Sequence, residues 1–227
     1  MMSASMVLEM KQLSKFYSGF SMKEINLAVK NSEIHGLVGN NGAGKTTMLK
    51  CIMQMIDYKG QVYFCGDLLT SKNVEYKYRI GYVGDFDLAY RDIKLMDIYR
   101  FAKNVYGLYW NDENFNHLIR NMFKINLNQK AGQLSTGMKK KFWMALALSH
   151  NPKLLLLDEP TTGIDPDSRD EILEYVSNLA KQEGVATIFS THIIEDLEKI
   201  ADTVTFIKNG ELAFSGTKNA YFQNRRG

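Results

Sequence analysis

One stretch constrains this chain more than any other. "GNNGAGKTT", residues 39–47, stands between the short apolar run "IHGLV" and the periodic "TMLKCIMQMI". Strand, glycine loop, then helix is the context in which the pattern G-x-x-x-x-G-K-[ST] makes a phosphate cradle. Gly39, Gly42 and Gly44 let the backbone approach phosphate and turn successive N–H groups inward. Asn40, Asn41, Ala43 and Thr47 complete the binding stretch, and the helix start adds partial positive charge. Lys45 places an ammonium at the β- and γ-phosphates, where it also serves catalysis, and the Thr46 hydroxyl is suited to Mg²⁺. The stretch predicts nucleoside triphosphate binding.

A second run fits the first. In "LLLLDEP", residues 154–160, four leucines read as a strand buried on both faces, and two acids follow at its C-terminal end, where α/β sheets place ligands. Asp158 is the candidate metal holder and Glu159 the candidate general base for an attacking water. "VATIFSTH" ends a further apolar strand in His192, a candidate contact for the γ-phosphate. His35 starts a strand, while His117 and His150 lie in helical stretches away from this chemistry.

Around these runs the chain reads as α/β. "SMVLEMKQL" and "FSMKEINLAV" alternate as antiparallel strands with one wet face, and Asn209-Gly210 between "TVTFI" and "ELAFS" marks a tight hairpin. Leu49, Ile52, Met53 and Ile56 share a helix face after the glycine loop. Ile172, Tyr175, Val176 and Leu179 share another, after an Asp165 cap and a Pro166 at the first helical position. From 86 to 150 the strand signal gives way to successive helices. The expected organisation is one domain over 1–227: a β subdomain with the first part of the core (1–85), an inserted helical lobe (86–150), and the rest of the core (151–227).

Composition narrows the class. A net charge of +3 is too small to argue for nucleic acid, and none is expected as a partner. Cys51 and Cys65 form no metal pattern or disulfide framework, which fits a reducing compartment. The N-terminus lacks a secretory pattern and no apolar run nears the roughly 18–20 residues of a membrane span, so the chain is expected to be cytoplasmic and to reach a membrane only through a partner.

"QLSTGMKKKF", residues 133–142, raises a question. Ser135 can cap a helix there, yet the Ser-Thr-Gly turn and three lysines also suit an anion, although the glycine loop already holds one phosphate chain. At least two of Lys139, Lys140 and Lys141 are expected to be solvated charges, because they point in different directions on a helix.

With these elements in order, the chain resembles the ATP-binding subunit of a bacterial ABC transporter over essentially its whole length. "GNNGAGKTT" resembles the family's Walker A loop, "LLLLDE" its Walker B strand, and "LSTGM" (134–138) the signature usually written Leu-Ser-Gly-Gly-Gln. "TTGIDP" (161–166), with Asp165, is similar to the D-loop, His192 to the switch histidine, and Tyr17 to the aromatic that stacks on adenine. The resemblance implies a P-loop NTPase (RecA-like) core with an N-terminal antiparallel β subdomain and an inserted α-helical subdomain. It implies ATP and Mg²⁺ as cofactors and hydrolysis coupled to transport. It also implies a head-to-tail pair of ATPase subunits, homomeric or heteromeric, in which Ser135 and Gly137 face the ATP of the opposite subunit. An integral membrane permease would hold the pair at the inner face of the cell membrane.

The departures are local. Asp85 stands where the family has a metal- or water-binding Gln, Thr136 replaces the first signature glycine, and Met138 replaces its glutamine. "STGMKKK" looks like exporters of peptides, antibiotics or lipids. The aromatics Phe86, Tyr90, Tyr99, Phe101, Tyr106, Tyr109 and Trp110 are expected mostly in the lobe core, with Phe86, Leu88 and Tyr90 the expected groove for the membrane partner. The alternatives are a soluble ATPase of assembly or repair, such as iron–sulfur cluster building, and a weakly hydrolysing switch module.

Overall fold

The computed structural model describes residues 6–70, 72–84 and 90–226. Asp85, Phe86 and Leu88 lie outside the described residues.

The chain opens with β1 (Met6–Tyr17) and β2 (Phe20–Lys30), paired antiparallel. With β4 (Lys59–Phe64) and β5 (Asp67–Leu68) they form a sheet of order β2-β1-β4-β5. Alternation along β2 buries Met22, Ile25, Leu27 and Val29 on one face.

The second sheet has the order β10-β9-β3-β8-β7-β6. Here β3 is Ile34–Val38, β6 Ile80–Val83, β7 Leu154–Asp158, β8 Ala186–Thr191, β9 Thr203–Lys208 and β10 Glu211–Thr217. Neighbours from β9 to β6 run parallel, and only the β9–β10 hairpin is antiparallel. The four leucines of β7 show why continuous apolar runs were needed. Leu154 and Leu156 enter the core shared with the antiparallel sheet, whereas Leu155 and Leu157 enter the core shared with the helices beyond. All four are 0% exposed, and each contributes about 1.5–3 kcal/mol by burial.

Helix α1 (Lys45–Ile52) lies in the first of those cores through Met48, Leu49, Cys51 and Ile52. It is shorter than the run "TMLKCIMQMI" suggested, so Ile56 lies beyond it. Gln54 takes a left-handed φ of +49°, its N–H donates to the Cys51 carbonyl (3.0 Å), and the Met55 N–H donates to Lys50 (2.9 Å). That double closure satisfies the last carbonyls and stops the helix in spite of the continuing apolar pattern.

Between β6 and β7 the described residues form α2 (Leu95–Tyr106), α3 (Asp112–Asn116) continuing through a π turn, and α4 (Thr136–Leu148). Helix α4 begins in the lobe and ends on the sheet, where a Cβ on Gly81 of β6 would lie 2.6 Å from the Ala147 carbonyl. The remaining helices are α5 (Pro166–Asn178), α6 (Ile194–Ile200) and α7 (Lys218–Arg226). As expected, Asp165 caps α5 by accepting from the Ser168 N–H (2.9 Å).

Most of the described lobe aromatics pack inward as expected, and two do not. Tyr99 stacks on Phe115 (4.6 Å) and Trp110 packs beside both, but Phe101 and Tyr109 are 68% and 47% exposed. The phase of α2 is the reason: Leu95, Ile98 and Ala102 face inward, which leaves Phe101, Val105 and, just past the helix end, Leu108 outside. Tyr90, expected in a partner groove, instead packs into the lobe against Trp143 (5.5 Å). Among the described residues no helix is long and apolar enough to cross a membrane.

Candidate active site at the C-terminal edge of the parallel sheet

Because β3, β7 and β8 are parallel, their C-terminal ends share one edge of the sheet. The glycine loop leaves β3, Asp158 and Glu159 end β7, and His192 follows β8, which lies between them. The register sets Asp158 opposite Ser190 and Val38 opposite Thr191.

The glycine loop is braced from behind. The Ala43 N–H donates to Asn40 (3.0 Å), and the Ala43 carbonyl accepts from the Gly210 N–H (3.0 Å) of the β9–β10 turn. The hairpin signal therefore marks a buttress of the loop. Gly42 and Gly44 take φ of +79° and +115°, as a loop turning its N–H groups inward requires. The reason for Gly39 is different from the one expected: a Cβ there would stand 2.4 Å from the Ile207 carbonyl, so the close approach is to β9. No side-chain cap closes the start of α1 at Gly44, so its first N–H groups take no partner from a capping side chain. Phe20 touches the loop from the other side, 3.0 Å from where a Gly44 Cβ would be, and Tyr17 lies next to Phe20 (6.4 Å between rings). Tyr17 is thus an exposed ring near the cradle, with Lys15 over it at 4.9 Å.

Glu159 is the hub. Its Oε1 is 3.0 Å from the buried Lys45 ammonium, which also donates to the carbonyls of Gly39 (2.7 Å) and Asn40 (3.3 Å). Its Oε2 accepts from His192 Nδ1–H (2.7 Å) and from the Thr162 hydroxyl (2.7 Å). Burial alone would raise the Glu159 pKa. The hydrogen bonds from Thr162 and Lys45, with the charges of Lys45 and His192, outweigh it and hold the carboxyl below its usual range. Glu159 is therefore a carboxylate at neutral pH. Asp158 is buried and accepts from the Ser190 hydroxyl at Oδ1 (2.7 Å). Thr46, Asn41, Asp158, Glu159, Thr162 and His192 line one open cleft of about 400 Å³.

The opposite wall of that cleft is α4, through Thr136, Lys139, Lys140 and Trp143. The expectation that two of the three lysines are plain solvated charges is corrected here. Lys141 is buried against Glu171 (2.5 Å), Lys140 Nζ donates to the Glu159 main-chain oxygen (2.9 Å), and Lys139 lines the cleft. The helix packs against the sheet edge and α5, so side chains leaving it in different directions still meet protein. Ser135 caps α4 as expected, accepting from the Met138 N–H (3.2 Å), and its O–H has no acceptor among the described residues. Gly137 is buried, and a Cβ there would meet Ser168 Oγ at 3.0 Å and Asp165 Oδ2 at 3.6 Å. Its close approach within the chain is thus to the start of α5. Ser135, Gly137 and Asp165 form a group beside the cleft rather than inside it.

Behind the site, Asp196 is 0% exposed and accepts from Arg169 Nε and from the Thr161 hydroxyl, both at 2.5 Å. This ties the loop after Glu159 to the helix after His192. Thr162, Ser190, Lys140 and Asp196 were missed by sequence reasoning. Only Thr162, three residues after Glu159, stood close enough in sequence to have been found.

The cleft has the oxygen chemistry for Mg²⁺: a threonine hydroxyl and a carboxylate with one oxygen not engaged by Ser190. Among the described residues no cluster of three or more His, Cys, Asp or Glu could hold a metal.

A phosphate loop on a parallel sheet, with paired strand-end acids and a lysine on the second of them, defines a P-loop nucleotide triphosphatase. The comparisons narrow the class. Residues 22–162 match the ABC transporter family. The chain is 31% identical to the ABC transporter ATP-binding protein NatA of Bacillus subtilis, over 91% of this chain and 85% of that one. It is 31% identical to the phosphonates import ATP-binding protein PhnC of Treponema denticola (93% and 90%), and 30% identical to the bacitracin transport ATP-binding protein BcrA of Bacillus licheniformis (92% and 69%). The solved structure of an ATP-binding subunit of an ABC transporter superposes with a TM-score of 0.84 at 28% identity, covering 97% of this chain and 93% of that one. The chain belongs to the ABC transporter family. It is an ATP-binding subunit, an ATPase of the kind coupled to transport.

Proposed function

We propose that this subunit hydrolyses ATP as one of a head-to-tail pair and thereby drives an integral membrane permease. The observation that carries this reading is the convergence of Lys45, His192 and Thr162 on the Glu159 carboxylate. In this reading Glu159 polarises the attacking water and His192 orients Glu159 and senses the γ-phosphate. Lys45 supplies positive charge to the β- and γ-phosphates. Gly39, Asn40, Asn41, Gly42, Ala43, Gly44, Thr46 and Thr47 cradle the phosphates, and Tyr17 stacks on adenine, a role supported by its exposure beside Phe20. Thr46 and Asp158 would hold Mg²⁺, with Asp85 as a further oxygen donor. The ion supplies charge neutralisation on the phosphates when bound.

Ser135, Gly137 and Asp165 face the nucleotide of the opposite subunit. The Ser135 O–H, without an acceptor among the described residues, and the position of this group beside its own cleft support that assignment. The lobe (86–150) is a subdomain distinct from the β subdomain and core (1–85 and 151–227), and the permease holds the pair at the inner face of the membrane. For direction we propose export of a peptide, antibiotic or lipid, supported by the name of the bacitracin relative, while the phosphonate relative names import. Turnover and nucleotide binding of Glu159→Gln test the chemistry. The general-base reading requires a fall of about a hundredfold or more in hydrolysis with binding kept, and equal turnover would overturn it. Identifying the multi-span protein that co-purifies in detergent, then assaying its cargo in vesicles, tests the partner and the direction.

A further inference from the structure

We propose that Lys140 is a positioning residue for Glu159, fixing the backbone of the catalytic carboxylate from the helix that begins at the signature. The proposal rests on the reading of Glu159 as general base.

Glu159 has a φ of +50°, a left-handed conformation that a residue with a side chain keeps only where its surroundings enforce it. The anchors are visible. From the core, the Glu159 N–H donates to the Ser190 carbonyl (3.1 Å) and hydroxyl (3.2 Å), and the Thr162 N–H approaches the Glu159 carbonyl at 3.3 Å. From across the cleft, Lys140 Nζ donates to that same carbonyl at 2.9 Å. Among the described residues this is the shorter of the two bonds to that oxygen, and it is charge-assisted. The carbonyl and the carboxylate hang from one Cα. Fixing the peptide plane after Glu159 together with its N–H fixes the direction of the Cα–Cβ bond, and so where the carboxylate meets Lys45 and His192.

The sequence position of the anchor adds a second consequence. Lys140 lies one helical turn after Thr136, on the same face of α4, and both line the cleft. Ser135 caps that same helix. A shift of α4 as a body therefore moves the signature and the anchor of Glu159 together, so the signature's position is felt at the base through a single ammonium.

The test compares the full chain with Lys140→Met, Lys140→Arg and Glu159→Gln. Turnover is read at saturating Mg-ATP, affinity with a fluorescent ATP analogue, and folding by thermal melting. Misplacement of a reacting group by about 1 Å costs on the order of a hundredfold; partial loss of one anchor is expected to lower kcat about tenfold. Affinity and melting temperature stay at wild-type values, and Lys140→Arg, which keeps a charged donor, restores most of the rate. Wild-type kcat in Lys140→Met beside an inactive Glu159→Gln would overturn the role of Lys140 alone. Parallel loss of rate, affinity and melting temperature without rescue by Arg would reduce it to a structural contact. If Lys140→Met does not fold, Lys140→Gln and Lys140→Arg carry the same comparison, and equal rates in both with wild type would overturn the proposal. Wild-type turnover in Glu159→Gln would instead remove the general-base reading beneath it.

Discussion

In the cleft, Glu159 is held on all sides by protein partners: Lys45, Thr162 and His192 on its carboxylate, Ser190 on its N–H and Lys140 on its carbonyl. On the outer face of α2 and just past its end the situation is reversed, with Phe101, Val105 and Leu108 at 68%, 52% and 104% exposure. The first region is a polar network whose members hold one another in place. The second is apolar surface with no polar network to hold it. A polar network of this kind is costly to break in the isolated chain, whereas an exposed stripe is cheap to alter until another protein has to recognise it.

That contrast can be broken at four points. The largest effect is expected behind the cleft. Asp196→Ala leaves Arg169 and Thr161 without their buried partner and should cost about 3–5 kcal/mol in urea unfolding; a loss under 1 kcal/mol would show that the network contributes little.

The second lies on the seam between lobe and core. His150 is buried, stacks on Tyr106 (4.2 Å), donates from Nδ1 to the Tyr78 carbonyl (2.8 Å), and has an Nε2 without a hydrogen-bond partner among the described residues. Burial pushes its pKa from 6.5 down to about 4, against that hydrogen bond. The unfolded chain therefore takes up a proton before the folded one does. The associated stability is complete above pH 6.5 and is lost as pH falls toward 4, at most about 3 kcal/mol. Denaturation at pH 7 and pH 4.5 should show this slope in wild type, and His150→Phe, which keeps a ring on Tyr106, should flatten it.

Third, Gly39→Ala drives a methyl into the Ile207 carbonyl and should cost about 1–3 kcal/mol by overpacking, visible in thermal melting before any nucleotide is added. The smallest effect sharpens the other side of the comparison. Val105→Asp with Leu108→Asp should change stability by less than about 0.5 kcal/mol in thermal melting, and a loss above about 1 kcal/mol would show that these side chains pack against protein after all.

Much of the site could be read from sequence because its residues sit at strand ends and loop positions whose geometry is local. A glycine loop after an apolar strand, an acid pair after four leucines and a histidine after "VATIFST" all occupy one edge once the strands are parallel. The Ser135 and Asp165 caps are equally local, since each accepts from an N–H three residues on. Where reading failed, the deciding partner was distant. Lys140 meets Glu159 across 19 residues and Asp196 meets Thr161 across 35. Neither pairing leaves a periodic trace. The lysines of "GMKKK" looked solvated because their partners are distant in sequence, and Phe101 could not be told from its core neighbours because aromatic composition says nothing about helix phase.

By itself, then, the sequence determined the phosphate loop, the parallel core, the inserted helical stretch and the acids and histidine at the strand ends, because backbone periodicity and turn chemistry act over a few residues. Tertiary structure alone decided that Gly39 is needed against β9 and Gly137 against α5, and that α2 turns an apolar stripe outward. It also decided that an ammonium from α4 holds the main chain of Glu159. These are questions of which surfaces meet, and the meeting is set by the packing of whole elements.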